Sequence, residues 1–372
     1  TPEPDARVAV IDYFDVMQSL IVTDANGKGA VDLPPGQWRF RAATPGRLVG
    51  PHVDLVLKAS ETQSIQVELA PRRTLHVKVT DEAAAPSPAK VTVMCSGGPC
   101  PFNGDTWKQH VLLDYPRGGA AAIDYIGPGG ELDVRLPPGQ YEVIVSRGPE
   151  YSVWPDTWPN AGHRVDLSTA DGRVDAVVGR IVDSTGWMSA DLHVHAVNSP
   201  DSAVPNAQRA LNFLAEGVDV LLSTDHEFIT DLAPAVRAIG AERLMATMIG
   251  EEVTSFSHGH FNTFPLNLKP NTSNGGAFDH AGGEEGATLR MPQLYAGIKA
   301  EHPGAVVQLN HPRGAGGGVL TMLKVDTATL RSHGDPADYN MAPDPTATSE
   351  DTRLFGAGFD IVETANGPNA SF

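Results

Sequence analysis

The chain changes its hydrophobic period once, and that change constrains the fold more than any single motif. Up to about residue 180 the apolar residues alternate in short runs, punctuated by Gly and Pro, without helical spacing. Half-buried strands read this way, because successive side chains point to opposite faces of a sheet. From residue 187 onward, mainly apolar stretches at 192–194, 218–222, 244–249 and 305–309 alternate with stretches of helical spacing. Apolar runs of this kind suit strands covered on both faces. The sequence therefore predicts a multidomain chain, all β at first and α/β afterwards.

The β-rich part contains an echo. Leu33-Pro34-Pro35-Gly36-Gln37-Trp38-Arg39-Phe40 recurs as Leu136-Pro137-Pro138-Gly139-Gln140-Tyr141-Glu142-Val143. In each copy a Pro-Gly turn leads into an alternating strand. Two small β-sandwich modules are expected, a partial one over 1–72 and a second over 73–180. Strands are expected at 64–69, 74–79, 90–94 and 131–136. The modules resemble the carboxypeptidase-regulatory-like sandwiches joined to secreted enzymes. Trp154, Pro155, Trp158 and Pro159 read as a connector that buries aromatic rings, in preference to a sugar-stacking surface.

In the α/β part, Pro205 opens a helix with Ala207, Ala210, Leu211, Leu214 and Ala215 on one face and Gly217 as its stop. Shorter helices are expected at 233–239 and 292–301, and a last strand at 359–364. The Gly-rich 271–287 reads as a long loop over the site. Clusters of His and carboxylate stand just past the apolar runs. His193 and His195 lie two apart, so a strand there turns both imidazoles to one face, which is half of a metal site. Thr224-Asp225-His226, Gly250-Glu251-Glu252, His258-Gly259-His260-Phe261-Asn262 and Asn310-His311-Pro312 follow in order. A β/α barrel assembles its chemistry in this manner, from several strand ends meeting at one mouth.

This ordered set, with Gly186-Trp187 ahead of it and Gly259-His260-Phe261-Asn262 within it, resembles the PHP (polymerase and histidinol phosphatase) superfamily. Its wording is closest to the carbaryl-hydrolase-like branch. The resemblance covers 187–366 and implies an α/β, PHP-type distorted (β/α)7 barrel over 187–372. That barrel is expected to stop short at its C-terminus, since the late Asp-x-His of the family is not found after Glu363.

The resemblance also implies a ligand set: His193 and His195 on a first metal, and Asp201 and His226 on another. Glu252 would bridge, with Glu251 as its rival. His260 is preferred to His258, and His311 completes the set. Asp201 alone also reads as a cap for the helix at Pro205. Asp225 would orient a ligand from behind. Two or three divalent cations (Zn, Mn or Fe) would share a hydroxide that cleaves an ester-type bond, with Glu252, His260 and Asp225 as catalytic groups. The bond would be a phosphoester or a carbamate or aryl carboxyl ester, and the substrate a small molecule. The alternative is a non-catalytic β-sandwich binding protein with a degenerate barrel. Gly314-Ala315-Gly316-Gly317-Gly318 lacks the Lys-Ser/Thr ending of a nucleotide loop and reads as a turn. His280, His302 and His333 read as surface residues.

Charge narrows the partners. Lys and Arg number 27 against 45 Asp and Glu, a formal net charge of −18. A chain this acidic repels polyanions, so nucleic acid is not an expected partner. Arg290, Arg313 and Lys324 are the candidates for a local basic pocket. No apolar run reaches the length of a membrane span. Self-association into a homo-oligomer is compatible with the composition. Cys95 and Cys100 flank Ser-Gly-Gly-Pro-containing sequence that allows a small disulfide loop, with two free thiols as the other reading. A disulfide, and an opening Thr1-Pro2-Glu3-Pro4-Asp5 that reads as a trimmed start, favour export to an oxidising compartment.

Overall fold

A computed structural model of the chain describes residues 2–48, 50–98, 100, 119–255, 259–281, 289, 291–314, 317–322, 325–326, 331–332 and 359–364. His258, Arg290, Lys324 and His333 lie outside the described residues. The chain divides into two compact units, Thr1–Ser184 with Ala215–Gly217 and Thr185–Leu214 with Val218–Phe372.

The first unit opens with β1 (Arg7–Ile11), β2 (Met17–Val22), β3 (Gly36–Ala43) and β4 (Val53–Leu57), in one antiparallel sheet of order β2-β1-β3-β4. Val8, Val10, Phe40 and Ala42 form its buried face, covered by Val31, Leu33, Val67 and Leu69. Residues 64–69 are not a strand, yet Val67 and Leu69 still supply apolar cover. The expected first sandwich is therefore a single sheet roofed by extended segments.

The following strands are β5 (Arg73–Thr80), β6 (Ala89–Cys95), β7 (Ala120–Ile126), β8 (Glu131–Leu136), β9 (Gln140–Ser146), β10 (His163–Asp166) and β11 (Gly172–Val177). They form two sheets, β10-β9-β6-β7 and β11-β5-β8. Both sheets contribute alternate side chains to one core, including Leu75, Val77, Val91, Val93, Val134, Tyr141, Val143 and Val174. This is a two-layer β-sandwich, with Trp154 packed against its core. Cys95 and Cys100 are joined by a disulfide at the end of β6.

The sequence echo has a structural counterpart. Trp38 Nε1 donates to Pro34 O at 3.0 Å. Tyr141 Oη donates to Pro137 O at 2.6 Å. In both copies an aromatic residue four positions after the first proline ties down the carbonyl that precedes the turn, fixing how the strand is entered.

In the second unit β12 (Ala190–Asp191), α1 (Asn206–Ala215), β13 (Val220–Ser223), α2 (Ala233–Ala238) and β14 (Ala246–Ile249) alternate. The three strands form a parallel sheet. Val194, Ala210, Leu214, Leu221, Val236 and Met245 are its buried core. The helix expected from Pro205 is α1, with Ala210, Leu214 and Ala215 fully buried.

The order changes at Gly250. β15 (Glu251–Ser255), β16 (Gly259–Phe264) and β17 (Val306–Leu309) pair antiparallel in a second sheet. The helix α3 (Met291–Glu301) precedes β17, and the short α4 (Val319–Met322) follows it. The two-residue strands β18 (Val325–Asp326) and β19 (Arg331–Ser332) pair with each other. β20 (Ile361–Val362) lies parallel to β17.

The expected (β/α)7 barrel is corrected here. Such a barrel is one parallel sheet closed on itself, with a helix after each strand. Among the described residues the strands of this unit make two open sheets and the separate β18–β19 pair, and none closes. The cause is local. A Cβ on Gly250 would lie 2.7 Å from Thr263 O and 3.0 Å from Ser223 O, so only glycine lets the chain pass between the two sheets. Beyond it, Gly259 at φ +82 brings β16 back antiparallel to β15 without a crossover helix.

Candidate metal centre

All the donors of the candidate site belong to the second unit. β12 ends at Asp191, so His193 and His195 stand just past the strand and not on it as expected. They flank buried Val194, whose N–H donates to Thr224 Oγ1 at 2.7 Å. That anchor holds the segment extended and turns both imidazoles to one side. His226 follows β13, and a parallel bridge pairs it with Glu252. Glu252 and His260 come from the paired strands β15 and β16, where Glu252 stands opposite Asn262 and His260 opposite Thr254. His311 follows β17.

Glu252 is fully buried. Its Oε2 lies 3.0 Å from His193 Nε2, 3.1 Å from His195 Nε2 and 3.4 Å from His226 Nδ1. Its Oε1 lies 3.3 Å from His260 Nδ1 and 3.5 Å from His311 Nε2, and accepts from Asn310 Nδ2 at 2.9 Å. The rings pack in a cycle, with centroid separations of 5.0 Å (His193–His195), 4.6 Å (His195–His226), 5.4 Å (His226–His260), 5.2 Å (His260–His311) and 5.7 Å (His193–His311). Imidazoles thus enclose one buried carboxylate. Two donor sets share it: His193 with His311, and His195 with His226.

The electrostatics follow from this enclosure. Burial works against the charge on Glu252, but the surrounding imidazoles of His193, His195, His260 and His311 hold its carboxyl far below the ordinary range. Burial would lower His193, yet its bonds to Glu252 and Glu363 push it up to about 10. His226 is held below its ordinary value, chiefly by burial. Asp201 is raised by burial but lowered overall by its bond from Ser199 and the charges of His195 and His226. Glu251, the rival for the bridging position, is raised to about 8 by burial and accepts a hydrogen bond from Phe278 N at 3.0 Å. It faces away from the imidazole cycle and into the β15–β16 side of the core.

Asp201 sits at the rim, half-exposed. Its Oδ2 is 3.5 Å from His226 Nε2, and its Oδ1 accepts from Ser199 Oγ at 2.7 Å. Asp225 is buried, and its carboxylate is taken up by one backbone and one side-chain donor. Oδ1 accepts from Ala196 N at 2.6 Å and Oδ2 from Thr230 Oγ1 at 2.6 Å. It therefore shapes the loop after His195. His302, read from sequence as a surface residue, is buried at the end of α3.

The donor set fits divalent cations. His260 Nδ1 is buried and makes no hydrogen bond among the described residues, although it points at Glu252. Ring nitrogens this close to one carboxylate could all serve as donors only by gathering several positive charges in one small volume. Imidazole nitrogens and carboxylate oxygens converging on shared points are what Zn, Mn or Fe require.

Sequence reading did not single out Asn310, Thr254 or Glu363. Asn310 bonds both Glu252 and Asn262 Oδ1, the latter at 2.7 Å. Thr254 Oγ1 lies 2.5 Å from His226 Nδ1. Glu363 Oε1 lies 3.0 Å from His193 Nδ1. Asn310 stood beside His311 in the motif, whereas Glu363 had no signal beyond ending an apolar strand.

No protein-family model matches the chain, and no curated protein matches it. Some solved structures resemble about half of it. The shaft pilin spaA of Lactobacillus rhamnosus GG is 8% identical, with 49% of this chain and 90% of the pilin covered and a TM-score of 0.27. The pilus 2b backbone protein of group B streptococcus is 11% identical, covering 48% and 79% at a TM-score of 0.22. The Bacillus anthracis TIE protein is 14% identical at a TM-score of 0.21, and the match spans 48% of this chain but only 30% of that one. Likeness at this level assigns no function.

With open sheets and no matching family, the PHP resemblance is withdrawn. The expected ester hydrolase rested on it. Its small-molecule ester substrate and the catalytic roles given to Glu252, His260 and Asp225 are withdrawn with it. Among the described residues no helix is long and apolar enough to cross a membrane. The Cys95–Cys100 disulfide is consistent with an oxidising compartment.

Proposed function

We propose that the chain is a metal-binding β-sandwich protein, in which the cycle His193, His195, His226, His260 and His311 around Glu252 holds two divalent transition-metal ions. The observation that carries this reading is the sharing of one fully buried carboxylate by two donor sets. Bound metal would neutralise Glu252 and take up ring lone pairs. Asp201, at the rim beside His226, is the further donor on that side. The imidazole-rich set favours Zn, Mn or Fe over Mg or Ca, which prefer oxygen. The role is one of binding, and the disulfide supports a setting outside the reducing cytosol.

Elemental analysis of the full chain, purified and reconstituted with each metal, tests this. The expectation is two ions per chain, falling to one or none in Glu252→Gln, which loses the shared ligand. An absence of metal in the wild-type chain after reconstitution would overturn the proposal.

A further inference from the structure

Outside the imidazole cycle, two groups touch the far side of its first two rings, and each offers an acceptor to a ring Nδ1. Glu363 ends β20. As a carboxylate it only accepts. Its Oε2 accepts from His311 N at 2.6 Å, and its Oε1 lies 3.0 Å from His193 Nδ1. The proton of that second contact must come from the ring, so His193 carries hydrogen on Nδ1. Its Nε2 lies 3.0 Å from Glu252 Oε2, a second acceptor, so the metal-free ring donates from both nitrogens; a metal on Nε2 would replace that hydrogen and leave the one on Nδ1.

Ser199 reaches the same end by another route. It is buried, and its hydroxyl has a single proton. That proton goes to Asp201 Oδ1 at 2.7 Å, because a carboxylate cannot donate. The hydroxyl oxygen accepts from His226 N at 3.2 Å and faces His195 Nδ1 at 3.1 Å. The contact with His195 is a hydrogen bond only if Nδ1 carries the hydrogen. The Nε2 of His195 is then the atom 3.1 Å from the same Glu252 oxygen.

We propose that Glu363 and Ser199 are positioning residues, which fix the Nδ1–H tautomers of His193 and His195 and so aim both Nε2 atoms at the Oε2 side of Glu252. The inference deepens the metal reading and rests on it for its purpose, while the two Nδ1 contacts are present in the chain itself. A free imidazole takes either tautomer. A carboxylate behind a ligating ring both orients it and makes it a stronger ligand, and loss of such a partner typically weakens metal binding about 10–100-fold. Glu363 also grips the backbone of His311, so one side chain ties the first and last histidines of the cycle together.

The test uses the full chain with nitrogen-labelled histidine and zinc as the probe. Through-bond nitrogen–proton correlations read which ring nitrogen of His193 and His195 bears hydrogen, with and without zinc. In the wild type a proton on Nδ1 is expected at both rings in both states, and zinc on Nε2. Glu363→Ala should lose the Nδ1 proton signal of His193 and weaken zinc binding about 10–100-fold. Glu363→Gln, which keeps one acceptor oxygen, should fall between. Ser199→Ala should act on His195 alone, leaving the His193 signal intact, and serves if Glu363→Ala fails to fold. Zinc on Nδ1 of either ring, or wild-type affinity and unchanged ring signals in both alanine variants, would overturn the proposal. If the wild type takes up no zinc, the metal reading fails, while the metal-free ring signals still decide the Nδ1 assignment: an unprotonated Nδ1 overturns it, and a protonated one that depends on Glu363 supports it.

Discussion

At the scale of single residues, the proposed metal binding would set protons and cations in contest for the same nitrogens. In the metal-free chain the pKa of His193 stands above its ordinary value, at about 10, through its bonds to Glu252 and Glu363. A group raised in the folded state contributes stability that is complete below its unfolded pKa, roughly 6.5 for histidine. That contribution fades as pH climbs through about 10. Metal needs the bare nitrogen, so its affinity runs the opposite way and rises with pH. The metal-free protein should therefore show a thermal midpoint that falls between pH 7 and 10, and zinc uptake at neutral pH should release protons. Calorimetric titration in two buffers of different ionisation enthalpy checks the second point. Equal heats in both buffers would remove His193 from the ligand set.

At the scale of elements, one glycine illustrates how the site depends on its surroundings. Gly317 has φ +85, and a Cβ there would lie 2.5 Å from the ring of His260. Its carbonyl accepts from His260 N at 2.8 Å. Gly317→Ala should push the imidazole out of the cycle and carry a backbone penalty of about 1 kcal/mol or more. Reduced metal content in a folded protein is the expected result, read by elemental analysis beside circular dichroism. A sandwich substitution provides the contrast. Leu75 is fully buried in the two-sheet core, so Leu75→Ala should cost about 2–5 kcal/mol in denaturant unfolding and leave metal content unchanged.

The same scale shows what was legible beforehand. The helix α1 could be read because Ala210, Leu214 and Ala215 repeat at helical spacing and Gly217 ends the run. The strands β5, β6 and β8 could be read from their alternation. The antiparallel turn from β15 to β16 could not. An apolar run followed by Gly250 looks the same whether the chain continues into a helix or folds back, and the choice depends on backbone approach to Ser223 and Thr263. Spacing singled out the imidazoles and Glu252 as candidate donors. Glu363, by contrast, joins them through the pairing of β20 with β17, a contact between distant segments that no local pattern announces.

At the scale of the whole molecule, the two units have separate cores. A ligand that binds only the folded form stabilises the unit that holds it, by about 2.7 kcal/mol at one hundred times its dissociation constant. Scanning calorimetry should accordingly show two transitions, with added zinc moving one and leaving the other in place. A uniform shift of both would mean that the units unfold together.

The spacing of the centre along the chain has a consequence for timing. Its donors run from His193 through Glu252 to His311, and the carboxylate that braces the first and last of them is Glu363. A nascent chain emerges from its N-terminus, and the sandwich modules can fold while the rest is still being made. The imidazole cycle lacks its brace at that stage, since Glu363 is synthesised 170 residues after His193. On the proposed metal reading, tight metal capture would therefore be a late event in the life of the molecule, drawing its ion from whichever compartment the chain occupies when residue 363 pairs home.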